Sequence, residues 1–186
     1  MAKLIYATNT SLDGFIEDQH GNFNFSEPAD DRFMLTTELM RQIGTHLYGR
    51  RLYETMAVWE TDPAFAAESE LMATFARVWQ DADKIVYSTS LAEVSTAKSK
   101  LERDFIPETV RAMKESASRD LMVGGANLAA HAFAASLVDE YHAFICPVIL
   151  GQGKPALPND LRTELTLLDE RQLSNGVIYV RYGVGI

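Results

Sequence analysis

Three short stretches carry residue types that suit a bound anion. Gly49-Arg50-Arg51-Leu52-Tyr53-Glu54 sets a glycine and two arginines where a strand, 45–49, gives way to a helix, 50–59. A helix that opens directly after a strand presents unpaired backbone N–H groups and the positive end of its dipole. Gly49 would let the backbone approach a phosphate, and an arginine can grip one through two parallel hydrogen bonds. The same residues also read as an exposed helix start with two solvated arginines. Tyr87-Ser88-Thr89-Ser90 follows a strand over 84–88 and offers hydroxyls, either to a ribose phosphate or as turn and cap residues. Leu121-Met122-Val123-Gly124-Gly125-Ala126-Asn127 puts two glycines between a buried strand and an alanine-rich helix over 127–136. They permit a positive φ and close approach to a pyrophosphate, or only a tight turn. Their spacing is not G-x-G-x-x-G, so the common Rossmann inference does not apply.

Other chemistry-bearing residues are more ambiguous. Asp30 and Asp31 open a helix predicted over 30–43. A carboxylate there could relay a proton if it were buried, but a helix start favours acids in any case. The histidines at 20, 46, 131 and 142 have no metal-ligand spacing, so no metal site is expected. Cys146 is the single cysteine, which rules out an internal disulfide, and its apolar strand suggests an inert buried thiol. Trp59, Phe75 and Trp79 read as core packing.

The elements that must position these residues alternate between strand and helix. Strands are predicted at 3–9, 45–49, 84–88 and 121–123, with a long one over 141–150 that is interrupted near Pro147. Helices are predicted over 30–43, 50–59, a stretch from Phe65 to Val78 entered at Asp62-Pro63, 107–117 and 127–136. Two late strands, 164–173 and 177–184, flank Ser174-Asn175-Gly176, a strong hairpin signal. The pattern implies an α/β fold: a mainly parallel central sheet with an antiparallel C-terminal hairpin, in one domain over 1–186. In such sheets ligands bind at the carboxyl ends of the strands, where the three anion-friendly junctions fall.

Composition narrows the function classes. Lys plus Arg number 17 and Asp plus Glu 26, for a net charge of −9. An acidic surface argues against nucleic acid or anionic membranes as partners, and a small-molecule substrate is expected instead. No apolar run approaches the roughly 20 residues that a membrane helix needs. No signal-peptide pattern opens the sequence, so a cytoplasmic location is expected.

Several of these motifs, in order along nearly the whole chain, resemble the dihydrofolate reductase superfamily. Ser11-Leu12-Asp13-Gly14-Phe15-Ile16 looks like its first-strand motif. Gly49-Arg50-Arg51-Leu52-Tyr53-Glu54 looks like its Gly-Arg-x-Thr-aromatic-Glu element, and Val123-Gly124-Gly125-Ala126 like its glycine pair. Leu137-Val138-Asp139-Glu140 and Pro147-Val148-Ile149-Leu150-Gly151-Gln152-Gly153 are similar to the branch that includes the C-terminal reductase domain of the bifunctional riboflavin-biosynthesis deaminase-reductase, and stand-alone relatives.

The resemblance implies a dihydrofolate-reductase-like three-layer fold and NADPH-dependent hydride transfer to a small cyclic imine or carbonyl compound. It implies that Arg50 meets the 2′-phosphate with Ser88 and Thr89 near it, and that Gly49 and Arg51 face phosphate oxygens. Val123, Gly124, Gly125 and Ala126 would form the pyrophosphate element. Thr8, Asn9 and Ile16 would lie near the nicotinamide. Asp30 would take the place of the acid that binds and helps protonate a pterin. A homodimer is expected, as is common among relatives. Leu52 stands where the motif usually has Thr, and Gly21-Asn22-Phe23-Asn24-Phe25 replaces the Gly-x-Ser-x-Trp stretch of riboflavin reductases. The alternatives are dihydrofolate reductase activity and a nucleotide-binding or sensory protein without turnover.

Overall fold

Leu4, Ile5 and Tyr6 are apolar at consecutive positions, so the strand they form must be covered on both faces. In the computed structural model, which describes residues 1–185, that strand is β1 (Leu4–Ser11), inside an eight-stranded sheet. It is followed by β2 (Phe15–Asp18), α1 (Asp30–Arg41), β3 (Ile43–Gly49), α2 (Arg50–Met56), α3 (Val58–Thr61), α4 (Pro63–Ala66) and α5 (Glu70–Asp81). Next come β4 (Asp83–Tyr87), β5 (Ser99–Glu102), α6 (Pro107–Ser116), β6 (Asp120–Gly124) and α7 (Ala126–Ala134). The chain continues with β7 (Glu140–Cys146), β8 (Gly153–Pro155), β9 (Leu165–Gln172) and β10 (Ile178–Val184).

The strand order is β5-β4-β3-β6-β1-β7-β10-β9. Strands β5 through β7 pair in parallel, and β10 runs antiparallel to both β7 and β9. One face packs Leu4, Tyr6, Leu47, Leu121 and Val123 against α6 and α7. The other packs Ile5 and Met122 against Leu39 and Ile43, and Tyr48 and Val86 against Trp59, Phe75 and Trp79. Helices thus cover both faces of a mainly parallel sheet, and the C-terminal hairpin forms its edge, as expected. Among the described residues no helix is long and apolar enough to cross a membrane.

Local chemistry explains the departures from the sequence reading. The helix expected from Phe65 to Val78 divides into α4 and α5, because two caps compete. Asp62 accepts from the Phe65 N–H and Ser69 from the Met72 N–H. The strand expected over 141–150 ends at Cys146, since Pro147 has no N–H for a ladder and Val148 turns back onto the Cys146 carbonyl. Three strands lacked a sequence signal. β5 reads Ser-Lys-Leu-Glu, and β2 pairs with a three-residue β8 in a separate antiparallel ribbon.

Two buried positions carry predictions. Gly124, the last residue of β6, is buried, and a Cβ there would stand 2.6 Å from Leu52 Cδ2 and 2.9 Å from Tyr48 Cδ1. Gly124→Ala should cost about 1–3 kcal/mol through overpacking, read as a melting temperature lower by on the order of 5 °C. His46 on β3 is fully buried, stacks in parallel on Tyr48 at 5.2 Å, and has no hydrogen-bond partner on either ring nitrogen among the described residues. Burial first, then repulsion from Lys84 and Arg119, pushes its pKa down to about 3. The folded protein therefore keeps His46 neutral while the unfolded chain gains a proton below about 6.5. Its contribution to stability is complete above that value and is lost as pH falls towards 3, by roughly 1.4 kcal/mol per pH unit. His46→Phe should flatten this loss. A melt of the variant at pH 7 and pH 5 should show a smaller drop than the native protein, and an equal drop would remove His46 from the account.

Candidate active site

The carboxyl ends of β3, β4 and β6 lie side by side, so the three junctions meet in one cleft of about 1200 Å³. Its opposite wall is the β2–β8 ribbon, which contributes Glu17, Asp18, Gly153 and Lys154. The ribbon is anchored by the two motifs at its base. Asp13 accepts from Ser11 Oγ at 2.7 Å and from the backbone N–H groups of Leu150 and Gly151 at 3.1 and 2.7 Å. The Ser11 hydroxyl and those amides hold the Asp13 carboxyl below its usual range. A motif near residue 12 and one near residue 150 thus form one clasp.

Gly49 is the N-cap of α2 and lines the cleft. Arg50 donates to Glu54 Oε1 at 2.8 Å and to Ser90 Oγ at 3.0 Å, which fixes its guanidinium at the cleft mouth. Arg51 is largely exposed, 3.8 Å from Glu17 Oε1, and Leu52 also faces the cleft. At the second junction Ser88 is buried, and its hydroxyl accepts from the Ser90 and Leu91 N–H groups at 3.2 and 2.9 Å. It organises the turn while Thr89 stands exposed at the cleft wall.

The third junction places the four residues of the expected pyrophosphate element differently. Only Gly125 of the four residues lines the cleft. Val123 is fully buried in the α6–α7 core, Gly124 packs under Leu52 and Tyr48, and the Ala126 side chain is buried on the α7 core face. Asn127, one residue later, lines the cleft instead. Gly125 has φ of +97° and caps α7 without a side chain, leaving the first-turn N–H groups of that helix uncapped. A Cβ on Gly125 would stand 3.8 Å from the Gly49 nitrogen, so two junctions approach here as bare backbone. This cradle fits a pyrophosphate, because it offers amide donors and no side chain to obstruct them.

Sequence reasoning missed several lining residues. Arg103 donates to the Ser88 and Leu91 carbonyls at 2.9 and 2.7 Å and stiffens the second junction. It follows β5, an element without a sequence signal. Phe105 sits between Tyr87, in an edge contact at 5.4 Å, and His131, stacked at 6.2 Å, and the three rings form an aromatic wall. His131 lies four residues after Asn127, a spacing that puts both on one helix face and could have signalled it. Arg50, Arg51, Arg103 and Lys154 line the cleft against two carboxylates, Glu17 and Asp18. The site is cationic in a chain of net charge −9.

The remaining candidates lie outside the cleft lining. Thr8 and Asn9 sit in the carboxyl half of β1, two and three positions beyond Tyr6, which pairs with Val123. Ile16 is half-buried on β2 beside Glu17. Asp30 is exposed at the start of α1 and does not line the cleft. The enclosure that a proton-relaying carboxyl needs is absent there, and Asp30 serves the positive end of the helix dipole. Cys146 is buried, as expected.

Comparison with known proteins agrees with this fold. Residues 2–179 match the profile of the family described as the RibD C-terminal domain. The uncharacterised protein YyaP of Bacillus subtilis (strain 168) is 30% identical over 188 residues, spanning 97% of this chain and 94% of its own length. A putative riboflavin biosynthesis protein from Shewanella sp. PV-4 has a similar structure, with TM-score 0.75 at 17% identity and full coverage of both chains. Dihydrofolate reductase from Enterococcus faecalis, solved with NADP(H), superposes with TM-score 0.61 at 12% identity, over 99% of this chain and 97% of its own. The fold is the dihydrofolate-reductase-like α/β fold, and the chain belongs to the RibD C-terminal domain family.

Proposed function

We propose that this chain is an NADPH-dependent reductase of the riboflavin-biosynthesis reductase-domain type, acting on a small cyclic imine or carbonyl compound. The observation that carries this reading is the convergence of Gly49, Gly125 and four cationic side chains on one cleft of an acidic protein. NADPH, when bound, supplies the hydride, and the protein supplies grip and orientation. Arg50 would hold the 2′-phosphate, with Ser88 shaping the turn and Thr89 beside it. Gly49, Gly125 and the uncapped start of α7 would take the pyrophosphate, with Arg51 and Lys154 at its rim. Tyr87, Phe105 and His131 would flank the adenine, since aromatic rings stack on such a face. Thr8, Asn9 and Ile16 would border the nicotinamide, where the carboxyl end of β1 meets β2.

Dihydrofolate reductase activity is less well supported, because Asp30 stands exposed outside the cleft. The same observation favours, as a second reading, a nucleotide-binding protein without turnover. We place the protein in the cytoplasm as a homodimer. In support of a second copy, Leu165, Leu167, Leu168 and Ile178 stand exposed on the outer hairpin.

Cofactor choice gives the first test. A guanidinium–phosphate contact is worth roughly 1.5–3 kcal/mol, less at a half-exposed side chain. Arg50→Ala should therefore weaken NADPH about tenfold and leave NADH nearly unchanged, measured by fluorescence titration. Equal losses for the two cofactors would remove Arg50 from the 2′-phosphate. Turnover gives the second: NADPH oxidation should appear with at least one member of a panel of pterins, folates and aminopyrimidines. Tight NADPH binding without any oxidation would move the protein to the non-catalytic reading.

A further inference from the structure

A second cleft, of about 190 Å³, lies between the start of α1, the end of β7 and the β9–β10 turn. Ala29, Arg32, Cys146, Ser174 and Asn175 line it, with Glu27 at the exposed rim. Arg32 is only 3% exposed, yet among the described residues it forms no ion pair. Its Nη1 donates to Cys146 Sγ at 3.3 Å and its Nη2 to the Ser26 carbonyl. Burial pushes the Cys146 thiol up, so the sulfur is neutral and is no counter-ion. Asp31 is already committed: it accepts from the backbone N–H groups of Arg32 and Ser174 at 2.7 and 2.6 Å.

A buried guanidinium without a carboxylate is costly, because neither its charge nor its remaining donors are matched. The guanidinium has five N–H donors, and the two contacts above leave others free for a planar acceptor. The start of α1 adds to the attraction. Ala29, its N-cap, lines the cleft and provides no side-chain cap, so the positive end of the helix dipole lies beside it. Arg32 is the one cation among the residues that line the cleft, and Glu27 stands at its rim, so a singly charged anion matches the site better than a doubly charged one.

We propose that this cleft binds the carboxylate of a small organic acid, paired with Arg32. The site's place in the sheet gives the pairing a use. Cys146 pairs with Ser11 and Phe144 with Asn9, so Cys146 lies one strand across and two residues along from Asn9. That separation is about 8 Å, from the spacings of a sheet. An acid anchored at Arg32 would reach the carboxyl end of β1, where the hydride acceptor would sit. This second statement rests on the reductase reading, whereas binding of the carboxylate does not.

The test uses thermal melts of the whole chain in acetate, inorganic phosphate or chloride at one ionic strength, without NADPH. Acetate should raise the melting temperature above the chloride value by about 3 °C, and more than phosphate does. Arg32→Met should lose the acetate response and melt higher than the native protein in chloride, because it removes an unmatched buried charge. Asn175→Asp should also lose the response by supplying a carboxylate from the rim. Asn175 lies in an exposed turn at φ of +58°, a conformation that Asp tolerates, so this variant folds. No acetate response in the native protein, a larger response to phosphate, or a response that survives both substitutions would overturn the proposal. NADPH titration of the same samples reports separately on the reductase reading.

Discussion

The close approach of bare backbone between β3 and β6 is the constraint on which the cleft depends. These strands are neighbours in a parallel sheet, so the helices that follow them, α2 and α7, start at the same edge. The two helix starts share that edge as bare backbone at Gly49, Gly124 and Gly125, and only Gly124 leaves no room for a Cβ. A Cβ on Gly124 would collide with Leu52 and Tyr48, and Gly125 needs a positive φ to redirect the chain into α7. What remains is a surface of amides and small residues beside the positive ends of helices, suited to an anion.

The second constraint joins distant parts of the chain. Asp13 ties the end of β1 to the loop before β8. This holds the β2–β8 ribbon over the sheet edge and closes the cleft on its open side. The ribbon brings Lys154 and Glu17 to the rim. Charge is thereby sorted by position: the acidic surplus lies over the general surface, while Arg50, Arg51, Arg103 and Lys154 gather at one edge. Such local fields draw an anionic ligand even to a protein of negative net charge.

Buried charge is treated differently at the two ends of β1. At the amino end, Lys3 pairs with Glu140 at 2.5 Å, and Glu140 also meets His142 at 2.9 Å. Lys114 meets Asp139 at 2.6 Å, and Asp139 accepts from the Leu4 N–H. Matched pairs of this kind fix strand register, since removing one partner leaves the other buried and uncompensated. At the carboxyl end, Arg32 has no such match. The contrast separates charges that hold the fold from a charge placed for something else.

The sequence by itself determined the alternation of strands and helices, the parallel sheet with its C-terminal hairpin, and the three glycine- or hydroxyl-bearing junctions. These are local properties: consecutive apolar residues at 4–6, an Asn-Gly turn at 175–176 and glycines at 49, 124 and 125 act through their immediate neighbours. Only the tertiary structure decided which junction residues reach the cleft. Val123 and Gly124 point to opposite faces of a strand that is covered on both, whereas Gly125 leaves the strand at φ of +97° to start α7, and what covers each face depends on the elements packed there. Arg103 and Lys154 had no sequence signal for the same reason, because they come from segments far apart in the chain, and His131 had only its spacing from Asn127. Asp30 and Arg32 are two residues apart on α1, yet one is exposed and the other enclosed by β7 and the β9–β10 turn. Burial is set by what packs on a helix face, and no local pattern in the chain encodes that partner.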